Sequence, residues 1–90
     1  MLDGNAIAGM TADIFGVDMT VAVATCTRCR SRGPLAETAV YLRGPGVVVR
    51  CRHCDAVLAV VIERRGVYCV DLSGLSALEA VTDEESRIST

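Results

Sequence analysis

Cys26-Thr27-Arg28-Cys29 and Cys51-Arg52-His53-Cys54 form two matched C-x-x-C pairs with 21 residues between them. A tetrahedral divalent cation needs four soft donors converging on one point, and two short cysteine turns brought together by β-hairpins supply them. The spacer is slightly longer than the roughly 15–20 residues usual between two such pairs in zinc sites. Cys26, Cys29, Cys51 and Cys54 are therefore the expected ligands of one zinc ion per chain, with Zn–S distances of about 2.3 Å. Iron held by the same sulfurs is the less favoured occupant. The doubled spacing disfavours free thiols or disulfides, and paired metal-type cysteines are usual in a reducing compartment. A closed four-thiolate shell leaves no open position to activate water, which argues against an enzyme.

Residues 19–25 read as a strand entering the first pair. Residues 35–43 read as a second strand, Gly44-Pro45-Gly46 as a turn, and 47–50 as a strand running into the second pair. A strand over 56–64, a turn at Arg65-Gly66 and a last strand over 67–72 complete a β ribbon spanning 19–72. Upstream, 3–16 reads as an amphipathic helix. Asp3 or Asn5 would cap it, Ile7, Met10 and Ile14 form its apolar stripe beside Phe15, and Gly16 would end it. Downstream, 75–81 reads as one or two turns of helix. The expected fold is thus a small α+β zinc ribbon, one domain over 1–81 with an N-terminal helix, followed by a flexible acidic tail over 82–90.

Ninety residues with one Phe, two Tyr and no Trp make a small core, so metal binding is expected to carry part of the folding free energy. The run from 56 to 62 is apolar at every position, which predicts a strand buried on both faces. The helix would cover one face. The C-terminal segment or a second copy would cover the other, so a homo-oligomer or protein partner is expected. Seven apolar residues are too few to span a membrane, and the N-terminus has no basic leader followed by an apolar run. The reading is a soluble, cytoplasmic protein.

All nine basic residues are Arg. The segment from Cys26 to Cys54 carries six of them against Glu37 alone, a formal +5, while the rest of the chain is −7. Arg28, Arg30, Arg32, Arg50 and Arg52 are candidate nucleic-acid or anion contacts. They equally suit charge compensation beside a dianionic zinc–thiolate centre, and no aromatic residue is interleaved for base stacking. His53 reads as an exposed spacer, Gly33 as a residue relaxing the chain after the first pair, and Cys69 as a small packing residue of the last strand. No phosphate loop, nucleophile elbow or H-E-x-x-H motif is present, and no small-molecule substrate is evident. A structural module for protein association is the first reading, a nucleic-acid-associated ribbon the second, and a redox or metal-sensing thiol protein the third.

Beyond the cysteines lie Leu2-Asp3-Gly4-Asn5-Ala6, Phe15-Gly16-Val17-Asp18-Met19-Thr20, Gly33-Pro34-Leu35-Ala36-Glu37, Gly44-Pro45-Gly46-Val47-Val48 and Asp71-Leu72-Ser73-Gly74-Leu75. With these strings the chain resembles, over residues 2–80, a family of short bacterial zinc-ribbon proteins of uncharacterised function. That resemblance implies a zinc ribbon with an added helix and no particular activity.

Overall fold

In the computed structural model, residues 2–80 are described. Two hairpins set the frame. Strands β4 (Ala39–Arg43) and β5 (Gly46–Arg50) are joined by the two-residue turn Gly44-Pro45. Strands β6 (Val57–Arg64) and β7 (Val67–Asp71) are joined by Arg65-Gly66, both with positive φ, 52° and 79°. Two such residues match the right-handed twist of the flanking strands, which is why so short a turn closes this hairpin. With β1 (Leu2–Asp3) on the far side, these strands make an antiparallel sheet in the order β1-β4-β5-β6-β7. A smaller antiparallel sheet has the order β3-β2-β8, from β2 (Val23–Cys26), β3 (Arg32–Pro34) and β8 (Leu75–Glu79). Pro34 sits at the end of an edge strand, where its missing N–H costs little.

A single helical segment covers one face of the larger sheet. The Asp3 carboxylate accepts the Asn5 N–H at 3.1 Å and starts a 3-10 turn over Gly4–Ile7, which continues as α1 (Ala8–Phe15). Gly16, at φ 81°, ends it, donating its N–H to the Ala12 carbonyl. The buried Thr11 hydroxyl donates to the Ala8 carbonyl and accepts the Met19 N–H, tying the helix to the chain that follows. Ile7, Met10, Ile14 and Phe15 meet Val49, Ala59, Val61 and Val70 across an apolar seam. Val40 and Val49 are the largest fully buried side chains, and all three aromatic residues remain partly or well exposed. The interior is thus built from small aliphatic groups, each contributing roughly 1.5–3 kcal/mol at most when fully buried.

Several expectations change. The helix predicted over 3–16 begins with a strand pairing and a 3-10 turn, because Leu2 and Asp3 bond to Val40 and Ala39. The strand expected over 19–25 is confined to Val23–Cys26, since Asp18 makes a turn by accepting the N–H and hydroxyl of Thr20. The strand expected over 35–43 opens with a 3-10 turn, Leu35–Glu37. The helix expected over 75–81 is instead β8: Ala24 pairs with Leu78 and Thr25 with Ala77, so the free edge of β2 overrides the helix-forming composition of Leu-Ser-Ala-Leu-Glu. The acidic stretch 82–90 lies outside the described residues.

The unbroken apolar run in β6 has a different cause from burial on both faces. Val49 pairs with Ala59 and Arg50 with Val57, so Leu58 is an extra residue, a β-bulge. The bulge lets Leu58 and Ala59 be buried consecutively, at 3% and 6% exposure. Beyond it the strand alternates. Val61 faces the helix, whereas Ile62 lies on the outer face with Tyr41, Val48, Val60 and Cys69, which no described element covers. Cys69 is exposed, not a packing residue.

Candidate metal centre

Each cysteine pair sits at the end of a strand and folds into the same backbone loop. In the first, the Cys26 N–H donates to the Ser31 carbonyl at 3.0 Å and the Arg30 N–H to the Cys26 carbonyl at 3.0 Å. In the second, the Cys51 N–H donates to the Ala56 carbonyl at 2.8 Å and the Asp55 N–H to the Cys51 carbonyl at 2.9 Å. The residue after each second cysteine is left-handed: Arg30 at φ 66° and Asp55 at φ 63°. Gly33, the expected point of relaxation, has an ordinary φ. The turn is completed three residues earlier, on an arginine.

The loops face each other from different sheets. The first follows β2 of the smaller sheet and the second follows β5 of the larger one. The four sulfurs lie within 4.8 Å of one another, with Cys26 Sγ 3.6 Å from Cys54 Sγ and Cys29 Sγ 3.6 Å from Cys51 Sγ. A tetrahedral shell with metal–sulfur distances of about 2.3 Å has sulfur–sulfur edges of about 3.8 Å. The donor set and its spacing therefore fit one metal ion. Cys26 and Cys51 are buried and Cys29 is exposed, so the site lies at the rim of the interior.

The sulfurs do not share one electrostatic environment. Burial pushes the Cys51 thiol up, but the N–H groups of Cys54 and His53, with the Ser31 hydroxyl and Cys29, outweigh it and bring it down from 9.0 to about 6. The Ala56 N–H favours the Cys54 thiolate, yet desolvation and the three neighbouring sulfurs push it up to about 11. Cys29 is lowered, mainly by the Ser31 hydroxyl and N–H. One thiolate forms easily and the last is resisted by its neighbours. A cation in the site would allow all four charges to coexist.

Ser31 was not legible as part of the site. Its hydroxyl lies 3.1 Å from Cys29 Sγ and 3.6 Å from Cys51 Sγ, bridging the two loops. The only signal in the sequence is a hydroxyl two residues beyond a ligand cysteine, which is too common to single out.

Of the five arginines proposed as anion contacts, three are engaged within the fold. Arg32 pairs with Glu79 at 2.8 Å across β2. Arg50 donates to the Asp55 carbonyl at 2.9 Å and lies 6.0 Å from the Tyr41 ring centre, bracing the second loop. Arg52 donates through Nε to the Glu37 carbonyl at 2.6 Å and through Nη2 to the Thr38 carbonyl. Among the described residues, no hydrogen bond or ion pair holds the side chains of Arg28 and Arg30. His53 is exposed, as expected of a spacer, and contributes its backbone N–H to Cys51.

A family model described as a family of unknown function (DUF6510) matches residues 1–83. The chain belongs to this family. No curated protein and no solved structure matches it. The DUF6510 match takes in all four cysteines, Ser31 and the β7–β8 connection, so the whole sulfur cluster lies within the family's span. Among the described residues, no helix is long and apolar enough to cross a membrane.

Proposed function

We propose that the chain is a non-catalytic zinc ribbon, a structural module whose metal fastens two small sheets together and whose exposed surface associates with another protein chain. The observation that carries this reading is the convergence of four sulfurs, two from each sheet, carried on backbone loops of the same design. When bound, zinc would neutralise the thiolate charge and supply binding energy of roughly 10–16 kcal/mol to folding, as in finger peptides. Four sulfurs saturate a tetrahedral ion, so the arrangement supports a structural role over water activation. Association is supported by the outer face of the larger sheet, where Val57 and Ile62 are exposed beside Val48 and Val60.

Native mass spectrometry of untreated protein tests this directly. One zinc per chain and a mass above that of the monomer support the reading. A folded chain without metal would overturn it, and iron in the site would correct the ion while leaving the structural role.

Arg28 and Arg30 favour a second reading, contact with nucleic-acid phosphates, because neither side chain has a hydrogen-bond or ion-pair partner among the described residues. Binding should then weaken with salt, and losing both arginines should lower the log–log salt slope by roughly 2. Binding that is indifferent to the double Ala variant would remove this alternative.

A further inference from the structure

We propose that β7 is a docking edge for a second copy of this chain, paired antiparallel about a two-fold axis at Cys69. The proposal rests on the association reading above and names its partner and surface.

β7 is the last strand of the larger sheet, with β6 on one side and no strand on the other among the described residues. Its hairpin closes on the Arg64–Val67 pair through a two-residue turn of positive φ, so that pair is hydrogen-bonded. Antiparallel alternation then directs the backbone groups of Val67, Cys69 and Asp71 to Arg64, Ile62 and Val60. Tyr68 and Val70 direct theirs to the open edge. Proteins usually guard such an edge with lysine, proline or a bulge. β7 has none of these, and Val67 and Val70 are 63% and 39% exposed.

The strand is complementary to itself. Cys69 is its central residue, so antiparallel pairing about Cys69 sets Tyr68 of each copy opposite Val70 of the other, where the outward N–H and C=O groups meet. Cys69 falls opposite Cys69 at a non-hydrogen-bonded position, with Cα atoms about 4.5 Å apart. Charge selects the same orientation. The turn end of β7 carries Arg64 and Arg65 and the other end carries Asp71, so antiparallel pairing brings the acidic end of one copy to the basic end of the other. A parallel arrangement would oppose like charges. Arg64 lies in the row of Val67, the residue that Asp71 of the other copy would face. Asp71 Oδ1 already accepts the Ser73 N–H, leaving Oδ2 for that contact. The outer-face row of Val60 and Ile62 then continues across the axis into one joined sheet.

Sedimentation of the metal-loaded chain under reducing conditions tests the pairing, alongside disulfide trapping with glutathione disulfide. In trapping, two Cys69 thiols form one S–S bond and glutathione disulfide is reduced to two molecules of glutathione; the Cα separation is one that a disulfide accepts. The wild type and Cys69→Ser should be dimers, and only the wild type should be trapped. Val70→Pro removes an outward N–H without removing a bond to β6, and Cys69→Lys sets two ammonium groups face to face. Both should weaken self-association by roughly tenfold or more while metal content stays at one ion per chain. Should Val70→Pro misfold, Cys69→Lys decides. Dimers unaffected by Cys69→Lys would overturn the edge pairing and leave association by another surface standing. A wild type that stays monomeric at every concentration would overturn the pairing and the self-association reading together, and metal content would still report on the zinc centre separately.

Discussion

The Gly74 backbone lies against Leu58, donating its N–H to the Leu58 carbonyl at 3.1 Å, and a β-carbon at Gly74 would fall onto the Val57 carbonyl and the Leu58 α-carbon. The Gly74 carbonyl accepts the Thr27 N–H at 3.0 Å, so one residue bridges the bulge of β6 and the first cysteine loop. Gly74→Ala should destabilise the chain by about 1–3 kcal/mol, as overpacking does, and should weaken metal binding as well. Chemical denaturation and metal competition on the same variant check both. Gly4→Ala meets the Leu35 carbonyl in the same way and should lower stability too.

Metal removal should unfold the chain. The core is made largely of small aliphatic groups, and the two sheets meet at the sulfur cluster. A chelator should abolish the β signal in far-ultraviolet circular dichroism and zinc should restore it. Cys26→Ser or Cys51→Ser, which removes a buried ligand, should have the same effect without chelator.

Ser31→Ala should weaken metal affinity by roughly tenfold, the lower end of the range for groups that orient metal ligands. Ser31→Thr, which keeps the hydroxyl, should recover most of it. Competition with a chromophoric chelator reads the difference, and thermal melting of the loaded forms separates it from a general loss of fold.

Arg30 and Asp55 hold the left-handed position in their loops, where a side chain costs about 1–2 kcal/mol. Arg30→Gly should therefore be neutral or stabilising, although glycine's freer unfolded chain offsets part of the gain. Arg30→Val should be less stable than the parent by a similar amount, measured by urea unfolding of the loaded protein.

Acidity should act through the thiols. A group whose folded pKa is depressed contributes stability above its ordinary value and loses it as pH falls through the folded value. For Cys51 that window runs from 9.0 down to about 6. Cys54 is raised, so its influence runs the other way: it does no harm below 9.0 and costs stability as pH rises towards about 11. A thiolate absorbance titration of the metal-free, unfolded chain should show the thiols ionising together near the ordinary cysteine value. With metal bound, the four should stay ionised until acid displaces the ion.

The cysteine cluster was legible because its signal is a spacing, which survives any detail of the fold. The β4–β5 and β6–β7 hairpins were legible because Gly44-Pro45 and Arg65-Gly66 are turn chemistry written locally. β8 was not: Leu75, Ala77, Leu78 and Glu79 are good helix formers, and only the open edge of β2 makes them a strand. β3 was hidden because Gly33-Pro34 reads as a break. The bulge at Leu58 imitated a doubly buried strand, since an inserted residue shifts the alternation by one. Ser31 and Gly74 matter through what approaches them from distant parts of the chain, and no local pattern records that.

The duplicated cysteine loop also sets an order of events during synthesis. Each half presents only two sulfurs, so neither can retain a cation until Cys54 has left the ribosome and the β5–β6 turn has swung towards the earlier loop. Until then no complete donor set exists, so filling of the site by an ion would be a single late step.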